Sequence, residues 1–241
     1  MAEGLHLERT DHTLIVTMQR GEENLFSRDM IDGLSDAVDD AARKGLRFVR
    51  LRSEGPVFCV GRDRAGQTPL ELRAEAARIV KVNETLRTTP LTVLAEVQGD
   101  AAGFGAGIVA SADIGVAADS ARFWFPEILG GLAPSIVISW LSKTMPYKVA
   151  FDMVTTGNPV DAHRAQELGL VTDVVPRDLL EVAVDERIKR LAGMSPGAIK
   201  EIKEFFVRIR GLDPGNSAIA SVETLALSAT RNRADKDRPS A

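Results

Sequence analysis

The sequence predicts an α/β fold, and three observations carry that prediction. Thr92 to Val97 is β-branched and apolar, as a buried strand should be; Gly99, Gly103, Gly105 and Gly107 then punctuate the entry to an Ala/Ile/Val-rich helical stretch. Earlier in the chain, short apolar runs alternate with segments whose apolar residues recur at helical spacing. Beyond Pro134 the pattern is chiefly helical. At 241 residues the chain can bury a sizeable core, and one domain with an appendage is the expected organisation.

The elements follow in order. Leu14 to Met18 is an apolar run preceded by polar Asp11 and His12, which favours a strand with Leu5 to Leu7 as its hairpin partner. Ser27 is a good N-cap, and Met30, Ile31, Leu34, Ala37, Val38 and Ala41 follow at helical spacing, so a helix runs from about Ser27 to Ala42. Leu46 to Arg52 alternates apolar and basic residues like a half-exposed strand, and Val57 to Val60 reads as a second short strand ending at Gly61. From Gln67 to Arg87 apolar residues recur amid charges, consistent with a helix that Pro69 opens at its first turn. Trp124 and Phe125 sit in an apparent strand whose alternation sends one ring inward and one outward.

After Pro134, helices are expected over Ser135–Leu141, Pro146–Val154 and Asp161–Leu168, the last closed by Gly169, and Leu170–Val175 returns to strand. Helices over Asp178–Leu191, Pro196–Arg210 and Pro214–Ala229 complete the chain, and the tail RNRADKDRPSA is polar and expected to fray.

Composition narrows the function. A formal charge of -4, from 30 basic and 34 acidic residues spread along the chain, offers no basic stripe for nucleic acid and no polybasic membrane patch. The lone Cys59 rules out an intrachain disulfide and makes a cysteine-based metal site implausible; it reads as a small buried cysteine, since no base is placed near it in sequence. His6, His12 and His163 are scattered, so no metal site is expected. No run reaches the length that spans a bilayer and no basic-then-apolar leader opens the chain, so a soluble, cytoplasmic protein is the expectation.

The glycine-rich turn leaves backbone N–H groups unpaired at the start of a helix, which suits an anion or a carbonyl oxygen that gains charge during reaction. Close packing alone is the competing explanation. A dinucleotide fingerprint would need glycine where Ile108 stands, and the Lys-Ser/Thr of a phosphate-binding P-loop is missing.

The stretch VQGDAAGFGAGIVASADIGVAADSARFWFPEILGGLAP resembles the central signature of the enoyl-CoA hydratase/isomerase (crotonase) superfamily, N-G-x-A-x-G-G-G followed by P-E-x-x-x-G. Upstream, PVFCVGRDRAG is similar to that family's F-x-A-G-x-D segment, and RGEENLFS to its R-P-x-x-x-N-A-L turn without the proline. Downstream, VTTGNPVDAHRAQELGLVTDVVP is similar to its T-G-x-x-x-x-A-x-x-A-x-x-x-G-L-V-x-x-V-V-P block. Together these cover most of residues 14 to 205.

The resemblance implies a crotonase-type ββα spiral over residues 1–192, with residues 193–241 a helical trimerisation segment; a homotrimer or a dimer of trimers is the expected assembly. It implies an acyl-CoA enzyme that takes a coenzyme A thioester as substrate, with no further cofactor. The thioester oxygen would sit in an oxyanion hole made by the backbone N–H groups of Arg62 and Phe104. Substrate and coenzyme A would be bound around Asn24, Leu25, Val60, Gly61, Asp63, Gly103, Gly107, Trp124 and Pro126. Phe104 stands where glycine or alanine is usual and would put a ring beside the reacting carbonyl, while the Arg62 side chain is either solvated or paired with a coenzyme phosphate.

The departure that matters most concerns carboxylates. Hydratases of the family use two glutamates; here the first position falls on Gly107 and only the second, Glu127, remains. One carboxylate suffices to take a proton from one carbon of an acyl thioester and return it to another. The family's Δ3,Δ2-enoyl-CoA isomerases work this way, and ILGGLAP is similar to their L-G-I-I-A-P. Apolar neighbours should desolvate Glu127 and raise its pKa toward useful base values. Isomerisation by Glu127 is therefore the expected reaction, with hydration the alternative and a catalytically silent acyl-CoA-binding paralogue the alternative of another class. An intact Glu127 beside an open pocket favours an enzyme; a filled pocket favours the silent protein.

Overall fold

A computed structural model of the protein describes residues 2–141 and 144–236, with side chains described as far as residue 230. The chain forms two compact units, Met1–Leu191 and Ala192–Ala241.

The first unit opens on an antiparallel hairpin of β1 (Leu5–Arg9) and β2 (Thr13–Met18), Leu5 facing Met18. Ser27 accepts the Met30 N–H and so caps α1 (Arg28–Arg43), which buries Met30, Ile31, Leu34, Val38 and Ala41 as one stripe. Then follow β3 (Phe48–Ser53), α2 (Pro69–Thr88) and β4 (Thr92–Val97), every residue of the last being buried. A two-residue strand β5 (Ala101–Ala102) leads into α3 (Phe104–Ser111), β6 (Ile114–Ala118) and β7 (Arg122–Trp124). A 3-10 turn over Pro126–Gly130 precedes α4 (Ser135–Leu141), α5 (Tyr147–Thr156), β8 (Val160–Asp161), α6 (Ala162–Glu167), β9 (Asp173–Val175) and α7 (Leu180–Ala192).

The main sheet has the order β1-β2-β3-β4-β6-β9 and is parallel except at the β1/β2 edge. In the smaller sheet, β5-β7-β8, only β7 was foreshadowed in the sequence, because the two-residue strands β5 and β8 carry no periodic signal. In the second unit α8 (Pro196–Ile209) packs against α9 (Pro214–Lys236). Ile202, Phe206, Ile219, Val222, Leu225 and Leu227 are exposed there. Residues 237–241 of the polar tail expected to fray lie outside the described residues.

Four expectations need correction. Val57 to Val60 is not a strand: the Val57 carbonyl accepts from the side chains of Asn24, Ser53 and Gln98 instead of a ladder, and only Cys59 bridges, to Ala101. The basic residues of β3 do not all face water, since the strand is central and Arg50 is buried against Glu96 and Asp185. On α2, Leu70 and Val80 are exposed while Glu75, Asn83 and Arg87 are buried, so charge there does not mark the solvent face. Finally, β7 ends at Trp124; Phe123 and Phe125 are the buried rings and Trp124 is half-buried.

Candidate active site

Two backbone N–H groups are brought to one cavity by close approach of main chain to main chain. The 58–61 segment pairs with residues 100–102, just before α3: Asp100 O accepts from Phe58 and Cys59 N–H, and Ala102 N–H donates to Cys59 O at 2.9 Å. Gly105 permits the approach, because a Cβ there would lie 2.0 Å from the Cys59 carbonyl oxygen. Phe26 uses Gly61 O and the Asp63 N–H in a parallel bridge centred on Arg62, which leaves the Arg62 N–H facing away from it. Phe104 is the first residue of α3, and its N–H has no carbonyl four residues back within the helix. Among the described residues neither N–H meets an acceptor, and both residues line the cavity.

Glu127 comes to the same cavity from the 3-10 turn, with Pro126 fixing the first position of that turn. Its carboxyl lies against the main chain of Gly103: a Cβ at Gly103 would be 3.1 Å from Glu127 Oε1. Gly103 also has φ 51° and ψ -112°, a backbone conformation that L side chains rarely adopt. The other carboxylate oxygen, Oε2, is buried with no hydrogen-bond partner among the described residues. Burial is the main cause that pushes this carboxyl above the ordinary carboxylate value, opposed more weakly by its own backbone N–H and then by the positive charges of Arg64 and Arg62.

The cavity, about 540 Å³, holds a second carboxylate, Glu75 of α2, in a contrasting state. Glu75 Oε1 accepts from Arg28 at 2.6 Å and from the N–H groups of Ala65 and Gly66, and Oε2 accepts from Arg62 Nη1 at 3.0 Å. These donors, Arg28 first, hold its pKa down to about 2 against the opposing cost of burial. Glu75 thus pins the 62–66 loop to α1 and α2. Burial pushes the Cys59 thiol up to about 12, and Cys59 is fully buried, so it is no nucleophile. Asp100 is ion-paired with Arg122, and Asp113 ties the start of β4 through the Val93 N–H. Among the described residues no His/Cys/Asp/Glu group could hold a metal, and no helix is long and apolar enough to cross a membrane.

Of the site residues expected from sequence, Leu25, Val60, Gly61, Arg62, Gly103, Phe104, Gly107, Pro126 and Glu127 all line the cavity. Asn24, Asp63 and Trp124 lie outside its wall. Asn24 is fully buried, its carboxamide spent on Arg20 N–H, Glu54 O and Val57 O. Asp63 pairs with Arg20, and Trp124 lies beneath the Arg122 guanidinium. The Arg62 side chain is neither free in solvent nor unpaired, since Glu75 holds it. The Phe104 ring packs on buried Phe26, centroids 4.9 Å apart, and forms a wall that leaves the cavity open.

Sequence reasoning named as site residues none of Leu72, Glu75, Ile79 and Asn83 on α2, nor Leu132 to Val137 with Trp140 at α4, all of which line the cavity. Glu75, Ile79 and Asn83 share an i, i+4, i+8 stripe, the one signal that could have found them.

The sequence profile of the enoyl-CoA hydratase/isomerase family matches residues 8–236. The chain belongs to this family. It is 32% identical over 199 residues to the mouse (Mus musculus) mitochondrial enoyl-CoA hydratase domain-containing protein 3, covering 80% of this chain and 66% of that one, so it spans about two thirds of that relative's length. It is 28% identical to the trans-2-decenoyl-[acyl-carrier-protein] isomerase of Streptococcus mutans, covering 78% of this chain and 76% of that one. The structure of an enoyl-CoA hydratase from Mycobacterium smegmatis superposes with a TM-score of 0.89 at 28% identity, covering 99% of each chain. The fold of this enoyl-CoA hydratase/isomerase relative is thus the crotonase fold, as the sequence motifs implied.

Proposed function

We propose that this protein binds an acyl-CoA thioester and moves its double bond, with Glu127 as the single proton-transferring base. The observation that carries the reading is the difference between the cavity's two carboxylates. Glu75 is saturated with donors and held near pKa 2, whereas Glu127 has an unpartnered oxygen and a raised pKa. Only the second is disposed to take a proton. Gly107 contributes no carboxylate, so a directed water has no second base.

In this reading the thioester carbonyl oxygen accepts from the Arg62 and Phe104 N–H groups as the α-proton leaves. The enolate charge is then met by two donors already in place, each worth roughly 3 kcal/mol. Glu127 takes the proton from one carbon and returns it to another; atoms balance without water. The open cavity beside Glu127 supports an enzyme over a silent acyl-CoA-binding protein. Hydration is the second reading, favoured by the names of relatives and by the unpartnered Glu127 Oε2, which could activate a water.

The test is ultraviolet absorbance of the conjugated thioester with matched 2-enoyl-CoA and 3-enoyl-CoA, Glu127→Gln as control. A Glu127-dependent rise on 3-enoyl-CoA is expected. A Glu127-dependent fall on 2-enoyl-CoA would establish hydration instead, and no change on either would leave a silent protein or another chemistry.

For assembly, we propose a homotrimer or dimer of trimers formed through the second unit, supported by the exposed Phe206, Ile219, Val222 and Leu225. Sedimentation of the full chain should report a trimer or its double, and a monomer at micromolar concentration would refute the proposal.

A further inference from the structure

The cavity wall built by α2 and α4 carries two polar side chains that each hold an atom with no hydrogen-bond partner among the described residues. Asn83 of α2 is 5% exposed and Trp140 of α4 is 6% exposed, and both line the cavity. Among the described residues Asn83 Oδ1 and Trp140 Nε1 have no hydrogen-bond partner. A buried polar group left unbonded typically costs about 1–3 kcal/mol, so two on one ligand cavity call for a ligand that bonds them. The helices that carry them, α2 and α4, pack against one another.

The chemistry of the pair selects the group. An indole N–H only donates, and a carboxamide oxygen only accepts. A hydroxyl is the small group that can accept from the first while donating to the second; a keto oxygen or a halogen can do only half of this. It also satisfies the carboxamide in either orientation of its oxygen and nitrogen. The carboxamide turns in a broad torsional well, so it can swing toward an incoming oxygen at little cost.

The position follows from α3. Glu127 lies against Gly103, while the Trp140 indole lies against Gly107, where a Cβ would sit 3.7 Å from Trp140 Cζ2. Gly107 N–H bonds Gly103 O, so these two glycines are one helical turn apart. The indole therefore stands about 5 Å along the helix from the carboxyl that moves the proton. We infer that this wall is a subsite for a hydroxyl carried on the acyl chain beyond the reacting carbons, so that the substrate class is a hydroxylated acyl-CoA. The inference rests on the acyl-CoA reading of the cavity.

Saturated probes separate recognition from chemistry. Octanoyl-CoA and a series of monohydroxylated octanoyl-CoA isomers, the hydroxyl at each carbon beyond the third, are titrated calorimetrically into the full chain and into Asn83→Leu and Trp140→Phe. One hydroxyl position should bind about 10- to 100-fold tighter than octanoyl-CoA, and each substitution should bring the ratio of that probe's affinity to octanoyl-CoA's down to about one, whatever it does to octanoyl-CoA affinity itself. If every hydroxylated probe binds no tighter than octanoyl-CoA, the two groups serve a resident water and the subsite is refuted. That comparison needs only the native protein, so a variant that fails to fold does not protect the idea. A preference that survives both substitutions overturns it as well. If octanoyl-CoA itself does not bind, the acyl-CoA reading has failed and the subsite with it, a result distinct from loss of hydroxyl preference alone.

Discussion

Glu75 and Glu127 face the same cavity, yet the protein treats them in opposite ways. Glu75 receives two guanidinium groups and two backbone N–H groups. Glu127 has one oxygen packed beside Gly103 and the other buried without a partner. The difference teaches that a carboxylate's neighbours, more than its burial, decide whether it works as an anchor or as a base. Donors that stabilise the anion also remove its basicity, so one residue cannot serve both ends.

The largest expected effect is on catalysis. Glu127→Gln keeps the shape and removes the base, so kcat should fall on the order of 1000-fold. Stability should stay level or rise, since a raised carboxyl pKa means that folding disfavours the charged form. The stability gained from the protonated carboxyl is present below its ordinary value of 4.5 and is lost as pH rises through its higher folded value. The native protein should therefore match Glu127→Gln in acid and fall to or below it at neutral pH. For the same reason the acid limb of kcat/KM should lie above the usual carboxylate range. A native limb at or below pH 4.5, or a clear loss of Tm in the variant, would break the contrast.

Glu75→Gln should do the reverse. Two guanidinium groups and two N–H groups lose an anion whose side chain is 3% exposed, which should cost about 2–4 kcal/mol, moderated by the partial exposure of Arg28 and Arg62. Here the folded pKa is depressed, so the contribution is full above the ordinary 4.5 and fades as pH falls toward about 2. Thermal melts across that window should show the gap between native and variant closing in acid, from the opposite side to Glu127. Activity should fall as well, because Glu75 pins the loop that presents the Arg62 N–H, yet by less than the loss at Glu127.

What sequence reveals about these two residues differs for a physical reason. Glu127 stood out because its neighbours are apolar and its turn is marked by Pro126, features local to a few residues. Strand β4, the capped α1 and the glycine turn were legible on the same ground of local period and local backbone demand. Glu75, Asn83 and Trp140 lie on helices whose relevant partners are remote in sequence, and a charged residue within a helix reads as solvent-facing by default. Nothing local announces that Glu75 will meet N–H groups nine and ten residues back. Likewise Val57 to Val60 looks like a strand until Asn24 and Gln98 claim the Val57 carbonyl.

The smallest expected effects concern the two glycines one helical turn apart. Gly103→Ala would meet Glu127 Oε1 at 3.1 Å and must hold φ 51° with ψ -112°, so the carboxyl has to move and the backbone is strained by roughly 1–3 kcal/mol. A shift of the base by even a few tenths of an ångström should lower kcat with little change in KM, on the order of 10-fold. Gly107→Ala differs: its Cβ would meet Trp140 at an ordinary 3.7 Å, and the position lies inside α3. Replacing a mid-helix glycine by alanine should add up to about 1 kcal/mol of stability and leave the isomerase assay nearly unchanged. If Gly107→Ala instead abolishes activity while raising Tm, then the space at Gly107 is occupied in the reaction, by substrate or by a water. The reading of one carboxylate working without water would then have to be abandoned in the latter case, which solvent-deuterium and oxygen-18 incorporation into product would identify.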